Sequence, residues 1–392
     1  MEFIQISTIV NQTCEQMDGT KNVILTPSDF VSLGNTLYNA SKVDKFFGVL
    51  MDRIYDTIVS VRGYRADSKG VFKDSAEYGC MLQKLYVDMP NAVDNTAVEI
   101  SNPNYDPTKQ MEVVIPVVKQ KLFDKVTTYK IKFTLPDNLL KSAFNGPAEM
   151  AAFIEGVFMV MENRLEIVFE ANINLTRANF IAQKFDSNRP MACINLLDKY
   201  NVKKNLDLDV EEAMENTEFL KWASRQILLY TKRIGKMGTW FNEEGYNRFT
   251  PSDKLVVDIL QDFSTAVTTF LQSDTYHDEL VALPNYNEVA YWQGAGTDFD
   301  FDNTSKISLG IEDASGADIS GHTVTKTGII AFLYDYDALG MTIKEVTSSA
   351  VHYDEDEYTN YATKPRVGYF NDLSENAIVF YLEHVDHSHD GE

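Results

Sequence analysis

The residues with the clearest potential for metal chemistry are three acids close together in the chain. Asp298, Asp300 and Asp302 alternate with other residues, as calcium ligands do at the start of an EF-hand loop. That loop needs a glycine at its sixth position and a glutamate at its twelfth, where this chain has Asn303 and Leu309. We therefore predict a solvated acidic loop rather than a calcium site.

Histidines form a second set of candidate metal ligands, because His384, His387 and His389 are two or three residues apart. Such a group can bind a transition metal loosely, but no nearby pattern indicates side chains that would hold the rings rigidly. Motifs of nucleophilic hydrolases, zinc proteases, phosphate-binding loops and dinucleotide-binding folds are absent from the sequence. The sequence predicts no enzyme, no metal site and no cofactor, and a metal-assisted hydrolase that uses one of these two sets is the alternative from another class.

The overall composition is that of a large, acidic chain. Its 392 residues, 44% of them hydrophobic, are enough for two or three domains with a sizeable core. The formal net charge is -23, and this sign argues against a protein that wraps nucleic acid or docks on an anionic membrane. Cys14, Cys80 and Cys193 are far apart and odd in number, so we predict free thiols in a reducing cytoplasm.

One helix dominates the elements that must position these residues. From Met150 to Ile173 apolar residues follow one another mostly at steps of three and four, so they share one face of a helix predicted from Pro147 to about Phe185. At 1.5 Å per residue this helix is roughly 58 Å long, which is unusual in a compact enzyme. It suits a subunit that lies flat against its neighbours.

Weaker patterns place the remaining elements. Residues 1–25 have little periodicity and are predicted to form an arm. Clustered glycines between 294 and 328 indicate exposed loops around a short strand. We predict helices over 26–41, 43–61, 209–236 and 262–272, and strands over 255–260, 307–311, 329–334, 341–346, 369–370 and 377–382.

Residues 62–134 differ from the rest because they are polar, contain several prolines and break into short strand patterns at 80–87, 111–118 and 126–133. We predict a long two-stranded excursion, and since an isolated hairpin is marginally stable in water, it needs support from another subunit. Some lysines of this stretch are expected to pair with acids of a neighbouring subunit, and the alternative is that they only protect a solvated strand edge. The candidates are Lys121, Lys125, Lys130 and Lys132.

Short sequence words accompany this arrangement in a fixed order: Gly34-Asn35-Thr36-Leu37, Asp44-Lys45-Phe46, Leu50-Met51-Asp52-Arg53-Ile54, Val71-Phe72-Lys73, Leu85-Tyr86-Val87-Asp88-Met89, Lys119-Gln120-Lys121-Leu122-Phe123 and Leu139-Leu140-Lys141-Ser142-Ala143-Phe144. With the arm, the excursion and the long helix, they resemble the major capsid protein of tailed bacteriophages, which has the Hong Kong 97-type fold. The version in small podophages of Gram-positive hosts is the most similar. The resemblance covers residues 34 to about 185 best, and the rest agrees mainly in the order of its elements.

The resemblance implies an α+β fold with an N-terminal arm, an extended β-loop, a long spine helix, and peripheral and axial domains. The extended β-loop would reach over a neighbouring subunit, and loops of the axial domain would meet at fivefold and sixfold axes. The implied divisions are 1–61 for the arm and its helices, 62–134 for the β-loop, 135–205 for the peripheral domain with the spine helix 147–185, 206–350 for the axial domain, and 351–392 for the returning peripheral strands and the tail.

The resemblance also implies the function, that of a major capsid (head) protein that self-assembles around a scaffolding protein into an icosahedral shell enclosing double-stranded DNA. Its partners would be further copies of itself in hexamers and pentamers, the scaffold and the portal. Contact with the packaged DNA would be weak, and no membrane would be involved. The protein would be part of the virion head after assembly in the host bacterial cytoplasm. A bacterial nanocompartment shell protein of the same fold is the alternative.

Overall fold

The computed structural model describes residues 3–19, 28–40, 82–87, 115–123, 126–136, 144–187, 192–274, 286–292, 307–312, 318–353 and 358–386, with isolated positions among 24–50 and at 71, 101 and 103. Within them the helices are α1 (Phe3–Asp18), α2 (Asp29–Asn39), α3 (Pro147–Asp186), α4 (Leu196–Lys204), α5 (Val210–Glu215), α6 (Thr217–Arg233) and α7 (Gln261–Asp274). The strands are β1 (Leu82–Val87), β2 (Val118–Phe123), β3 (Val126–Thr128), β4 (Ile131–Pro136), β5 (Cys193–Asn195), β6 (Leu255–Leu260), β7 (Asn287–Val289), β8 (Ile307–Glu312), β9 (Asp318–Lys326), β10 (Ile329–Asp335), β11 (Leu339–Tyr353), β12 (Tyr358–Asn371) and β13 (Ala377–Tyr381). None of these helices combines the length and the hydrophobicity needed to cross a membrane.

The long helix α3 matches the predicted helix at both ends. Pro147 and Glu149 lie in its first turn, where a fixed φ and a negative charge both favour a helix start, and the chain becomes extended at Ser187. The N-terminal half of α3 is amphipathic and packs with residues of α1 and α2 in a first hydrophobic core. Apart from the adjacent pair Phe153 and Ile154, its buried side chains follow one another at steps of three and four residues: Met150, Phe153, Ile154, Val157, Met161 and Leu165.

The C-terminal half of α3 belongs to a different core. Ala178, Phe180, Ile181 and Ala182 are all buried, so this half is enclosed on more than one side. Phe180 packs against Phe332 of β10, with ring centroids 5.6 Å apart. One helix therefore joins two hydrophobic cores, one built with the N-terminal helices and one built with the central sheet.

The N-terminal segment differs from the predicted arm, because residues 3–18 form helix α1. Val10, Cys14 and Met17 are buried and join the first core with α3. Their spacing of four and three residues is helical, but polar residues surround this short stripe and weaken its signal in the sequence. The segment is therefore packed within its own subunit.

A five-stranded mixed sheet, in the order β5–β13–β10–β6–β7, lies at the centre of the second half of the chain. Strand β10 pairs antiparallel with both β13 and β6, whereas the two outer pairs are parallel. Ala331 and Leu333 face the core built with α4 to α7, and Phe332 and Tyr334 face the core built with α3. Burial on both faces explains the uninterrupted apolar run from which β10 is predicted.

A second sheet, in the order β11–β12–β3 with β4 also paired to β12, contacts α3. Strands β11 and β12 have 15 and 14 residues, far more than the predicted strands 341–346 and 369–370. Their outer halves are largely polar, so the hydrophobic pattern indicates only part of each strand. The predicted strand 126–133 is divided into β3 and β4, which both pair with β12 rather than with another strand of 62–134.

Strand β13 also pairs differently from what the order of the sequence suggests. The order of the chain groups it with the returning strands of 351–392. In the structure it pairs with β10, so it shares a sheet with residues of the predicted axial segment 206–350. Alternation could not reveal this pairing, because Ile378, Val379 and Phe380 are all apolar and all buried.

The predicted helix 209–236 consists of two helices, α5 and α6, which meet at Asn216. Asp209 caps α5 by accepting a hydrogen bond from the backbone N–H of Glu212, whose side chain accepts one from the backbone of Asp209. The side chain of Asn216 accepts a hydrogen bond from the backbone N–H of Phe219 and so starts α6. The single-helix prediction is wrong because a polar capping residue breaks the helix without interrupting its apolar spacing.

Other predictions are confirmed or fall partly outside the described residues. The predicted helices 26–41 and 262–272 correspond to α2 and α7, whereas only positions between 45 and 50 of the predicted helix 43–61 are described. The predicted strand 307–311 is β8, and it pairs with β9, which the glycine-rich pattern does not predict. Strand β2 begins at Val118, where the predicted strand 111–118 ends.

A buried ion pair connects α3 to the central sheet. The Nε atom of Arg177 lies 2.8 Å from the Oδ2 atom of Asp258 in β6, and both side chains are almost completely buried. Asn287 donates to Oδ1 of the same carboxylate at 2.9 Å, and the Tyr334 hydroxyl donates to Oδ2 at 3.1 Å. Burial raises the pKa of Asp258, and the charge of Arg177 opposes that rise. Partners from several elements thus hold one carboxylate and fix α3 across the sheet.

Candidate subunit interface

Strands β1 and β2 form a two-stranded antiparallel ribbon within the predicted excursion. Directly opposed residues of such a ribbon point to the same side, and neighbours along a strand point to opposite sides. In the observed register Lys84 lies opposite Lys121, and Val87 lies opposite Val118. The ribbon therefore has an inner face that carries cationic and aromatic side chains (Lys84, Tyr86, Lys119, Lys121 and Phe123). Its outer face is largely apolar (Leu85, Val87, Val118 and Leu122), with Gln120 opposite Leu85.

The inner face contacts the turn between β12 and β13 of the same chain. The Nζ atom of Lys84 lies 2.9 Å from Oδ2 of Asp372 and 3.4 Å from Oε1 of Glu375. The Nζ atom of Lys121 lies 3.4 Å from Oδ1 of Asp372, and the Tyr86 hydroxyl donates a hydrogen bond to Oδ2. We call Lys84, Tyr86, Lys121 and Asp372 the ribbon anchor.

Asp372 is the centre of the ribbon anchor, and its side chain is 0% exposed. The backbone N–H and the hydroxyl of Ser374 donate to its Oδ1 atom at 3.1 and 2.6 Å. Burial alone would raise the pKa of Asp372, but the charge of Lys84 and the hydrogen bonds from Ser374, Tyr86 and Lys84 outweigh it, so the pKa lies below its ordinary value. The carboxylate is charged at neutral pH and depends on its cationic partners, because an unpaired buried charge is costly.

Aromatic and cationic side chains extend the contact beyond Asp372. The rings of Tyr86 and Tyr246 stack with centroids 5.4 Å apart, and the guanidinium of Arg248 lies 4.6 Å from the centre of the Tyr86 ring. The Nζ atom of Lys119 lies 4.8 Å from the centre of the Tyr246 ring. Cation–π contacts of this kind stabilise by about 0.5–1 kcal/mol each at exposed sites. On the ribbon, all of these contacts are made by side chains, and Lys84 also donates to the backbone carbonyl of Asp337 at 2.5 Å.

The outer face of the ribbon is exposed. Leu85, Val87, Val118 and Leu122 are 62%, 60%, 59% and 49% exposed, respectively. Single exposed apolar residues are common, but several on one face of one ribbon are typical of a surface that another molecule covers. The ribbon thus has one face attached to its own subunit and an apolar face directed outward.

The structure places the lysines that were predicted to form a subunit interface in different surroundings. Lys121 pairs within its own chain, with Asp372 and with Oε1 of Glu244 at 2.8 Å. Lys130 follows β3 and Lys132 lies in β4, and both side chains are exposed. Lys125 lies outside the described residues. Contacts of these lysines with a neighbouring subunit stay a prediction.

The candidate metal ligands do not come together in the described part of the chain. Asp298, Asp300 and Asp302 lie outside it, as do His387 and His389. The Nε2 atom of His384 lies 2.8 Å from Oδ1 of Asp207. Among the described residues, no three histidine, cysteine or acidic side chains are grouped closely enough to hold a metal ion.

Sequence reasoning missed Lys84, Tyr86 and Asp372. One signal for the ribbon was present, because Lys84 and Tyr86 alternate with Leu85 and Val87 and so indicate two faces of different character. Nothing near Asp372 identifies Lys84, Tyr86 and Lys121 as its partners, since these three residues precede it by more than 250 positions. From the sequence alone, an acidic residue after a strand is typical of a solvated turn.

Comparison with protein families identifies the chain. A model of the Phi29-like phage major capsid protein family matches residues 6–381. The chain belongs to that family. This capsid protein is accordingly a structural component of the phage head that assembles into shells, as the resemblance implied, and neither the nanocompartment nor the hydrolase alternative is favoured.

This capsid protein is similar to chains in solved phage structures. A chain in the structure of the head fiber and inner core protein gp22 of native bacteriophage P68 has a TM-score of 0.52 and 11% identity, over 80% of this chain and 83% of that chain. The capsid structure of Staphylococcus phage Andhra has a TM-score of 0.48 and 9% identity, over 80% and 83% of the two chains. The capsid structure of cyanophage P-SCSP1u has a TM-score of 0.44 and 12% identity, over 83% and 90%. No curated protein matches the sequence. The family match and the similarity to the bacteriophage P68 structure confirm the predicted α+β fold of Hong Kong 97 type.

Proposed function

We propose that this capsid protein assembles around a scaffolding protein, in the cytoplasm of the host bacterium, into an icosahedral head of hexamers and pentamers. The head contains a portal and encloses double-stranded DNA. Family membership supports the shell, and the details of its partners and place of assembly are the proposal. We also retain the prediction that the phage is a small podophage of a Gram-positive host.

The observation that carries this proposal is the outer face of the ribbon. Leu85, Val87, Val118 and Leu122 present apolar side chains to solvent on one face that they share with Gln120, while the opposite face of the same ribbon is already occupied. A second copy of this chain is a fitting cover, because a shell presents copies to one another at high local concentration. The arrangement agrees with a β-loop within 62–134 that reaches over a neighbouring subunit.

The charge of the chain supports weak contact with the packaged DNA. A net charge of -23 repels phosphate, and a shell lining that bound DNA tightly would impede its entry. No base-reading or phosphate-binding role is therefore assigned to any residue. The DNA is held by confinement within the shell.

The direct test is the size of the expressed protein, alone and with its scaffold. Negative-stain microscopy and light scattering should show closed shells of megadalton mass for the wild type. Leu85→Asp with Val118→Asp should abolish them while leaving the unfolding temperature of the subunit nearly unchanged, because both side chains are already exposed. Val202→Asp, at a residue that is 62% exposed on α4, is the matched control. A wild type that stays monomeric under every condition, including with scaffold, would overturn the proposal.

A further inference from the structure

The inner face of the ribbon is attached to the rest of the subunit by side-chain contacts that centre on one acid. Within the described residues, the hydrophobic cores are built without residues of β1 and β2. The attachment of the ribbon is therefore separate from the packing that holds the helices and the central sheet together. Losing this attachment does not require any of the three cores to open.

The two sides of the attachment differ in their access to water. The side chains of Lys84 and Lys121 are 15% and 30% exposed, so their amines lie at the edge of the contact, whereas Asp372 is fully enclosed. When the ribbon leaves, the lysines return to water without further rearrangement. Asp372 keeps the two hydrogen bonds from Ser374, which belong to its own turn. Breaking the ion pairs is thus less costly than breaking an ordinary buried ion pair, and the main remaining cost of release is exposure of the buried Tyr86 ring.

We propose that the ribbon anchor is a releasable attachment that fixes the direction of the ribbon on its own subunit and can open without unfolding the cores. This inference rests on the proposed function: during assembly the ribbon anchor directs the outer face of the ribbon towards a neighbouring copy. The charged and titratable groups around Asp372 come from separate segments of the chain: Lys84 and Tyr86 of β1, Lys121 of β2, Glu244 and Arg248 between α6 and β6, and Glu375 of the turn.

Limited trypsin digestion of the unassembled full-length chain tests the release. Asp372→Asn preserves the shape of the side chain but removes the charge that Lys84 and Lys121 contact. Cleavage after Lys84, Lys119 and Lys121, followed by mass spectrometry, should become faster on the order of tenfold, because cleavage follows the population of the detached ribbon. Cleavage after Lys204 and Arg233, at the ends of α4 and α6, should be unchanged.

Matched variants separate release from general instability. Lys42→Gln breaks a partly exposed ion pair with Asp18, 2.8 Å long and away from the ribbon anchor, and should leave the ribbon sites as slow as in the wild type. Lys84→Met leaves the turn of Asp372 intact and should accelerate cleavage after Lys119 and Lys121, whereas Lys84→Arg should not. If Asp372→Asn does not fold, the comparison of Lys84→Met with Lys84→Arg still tests the release of the ribbon. Unchanged ribbon cleavage, or equal acceleration at every site, would overturn the releasable attachment.

Assembly distinguishes this inference from the proposed function. The wild type is examined first, and failure to form shells would overturn the proposed function while digestion still reports on release. If wild-type shells form, Asp372→Asn should give fewer or irregular shells at the same protein concentration. A normal yield of regular shells from a variant whose ribbon is cleaved faster would overturn the directing role.

Discussion

The Nζ atom of Lys84 and the Oδ2 atom of Asp372 lie 2.9 Å apart, although 288 positions separate the two residues in the chain. This contact joins a strand of the predicted excursion to the last turn before β13. It covers the inner face of the ribbon within its own subunit. The expectation that the excursion needs another copy for support therefore applies to the outer face, where the apolar residues are exposed.

The strength of the ribbon anchor should depend on pH through Asp372. The pKa of this acid is lower in the folded chain than its ordinary value of 3.8, so its charged form stabilises the attachment above that value. The stabilisation is lost as the pH falls through the lower folded pKa. Amide hydrogen exchange of β1 and β2 should show protection about tenfold greater in the wild type than in Asp372→Asn at neutral pH. The two proteins should converge once the pH has fallen below the lowered pKa of Asp372, and a constant ratio would contradict the assignment.

Removing Arg177 should destabilise the subunit strongly. Arg177→Met leaves the buried carboxylate of Asp258 without its cationic partner, and breaking a buried pair in this way costs about 3–5 kcal/mol. Urea unfolding of the full-length subunit measures the loss. Arg225→Met, on the exposed surface of α6, should change the free energy of unfolding by less than about 0.5 kcal/mol. Equal effects of the two changes would contradict the role of the ion pair.

Gly328 should not tolerate a side chain. Its φ is +71°, and an added Cβ would overlap the carbonyl oxygen of Leu382, whose N–H donates to the Gly328 carbonyl at 2.8 Å. Gly328→Ala should therefore cost more than about 3 kcal/mol of unfolding free energy. Gly19 has a similar φ of +75° with no atom within 4 Å of an added Cβ, so Gly19→Ala should cost only about 1–2 kcal/mol. Thermal unfolding of the two variants separates the effect of steric overlap at Gly328 from that of backbone strain alone at Gly19. Equal losses of unfolding free energy would contradict the overlap.

The exposed lysines of the predicted excursion should affect assembly through their charge. Lys130→Glu with Lys132→Glu should lower the yield of shells, because neighbouring copies of this acidic chain offer carboxylates to these positions. Salt screens such contacts, so the wild type should assemble more slowly at high ionic strength. Lys199→Glu, at an exposed position of α4, is the control. Normal shells from the double variant at both low and high salt would show that these lysines only protect a strand edge.

The elements that the sequence predicts closely are those whose burial leaves a regular pattern. Helix α3 has an apolar stripe with a proline start, and β10 has an uninterrupted apolar run. Strands β11 and β12 extend beyond their apolar segments, and hydrogen bonds between them continue where the side chains are polar. Burial of side chains is visible in a sequence, whereas backbone pairing between polar segments is not.

The candidate interface was predictable only in part. Lys121 stands out as a cation in an acidic chain, and the resemblance placed it in a β-loop. Its partners Glu244 and Asp372 could not be identified, because the contact depends on how distant segments pack. No pattern in the sequence around Asp372 indicates that its side chain is buried. Long-range ion pairs follow from the assembled fold and not from spacing along the chain.

The continuity of α3 limits how the subunit can adapt to positions of different curvature. Its 40 residues make a rod about 60 Å long, embedded in the first core at one end and against the central sheet at the other. Because the helix is continuous, its two halves cannot rotate independently. A rotation of about 5° at the sheet end displaces the opposite end by about 5 Å. Differences in angle between neighbouring copies must therefore come from flexing of this rod or from parts outside both cores, such as the ribbon.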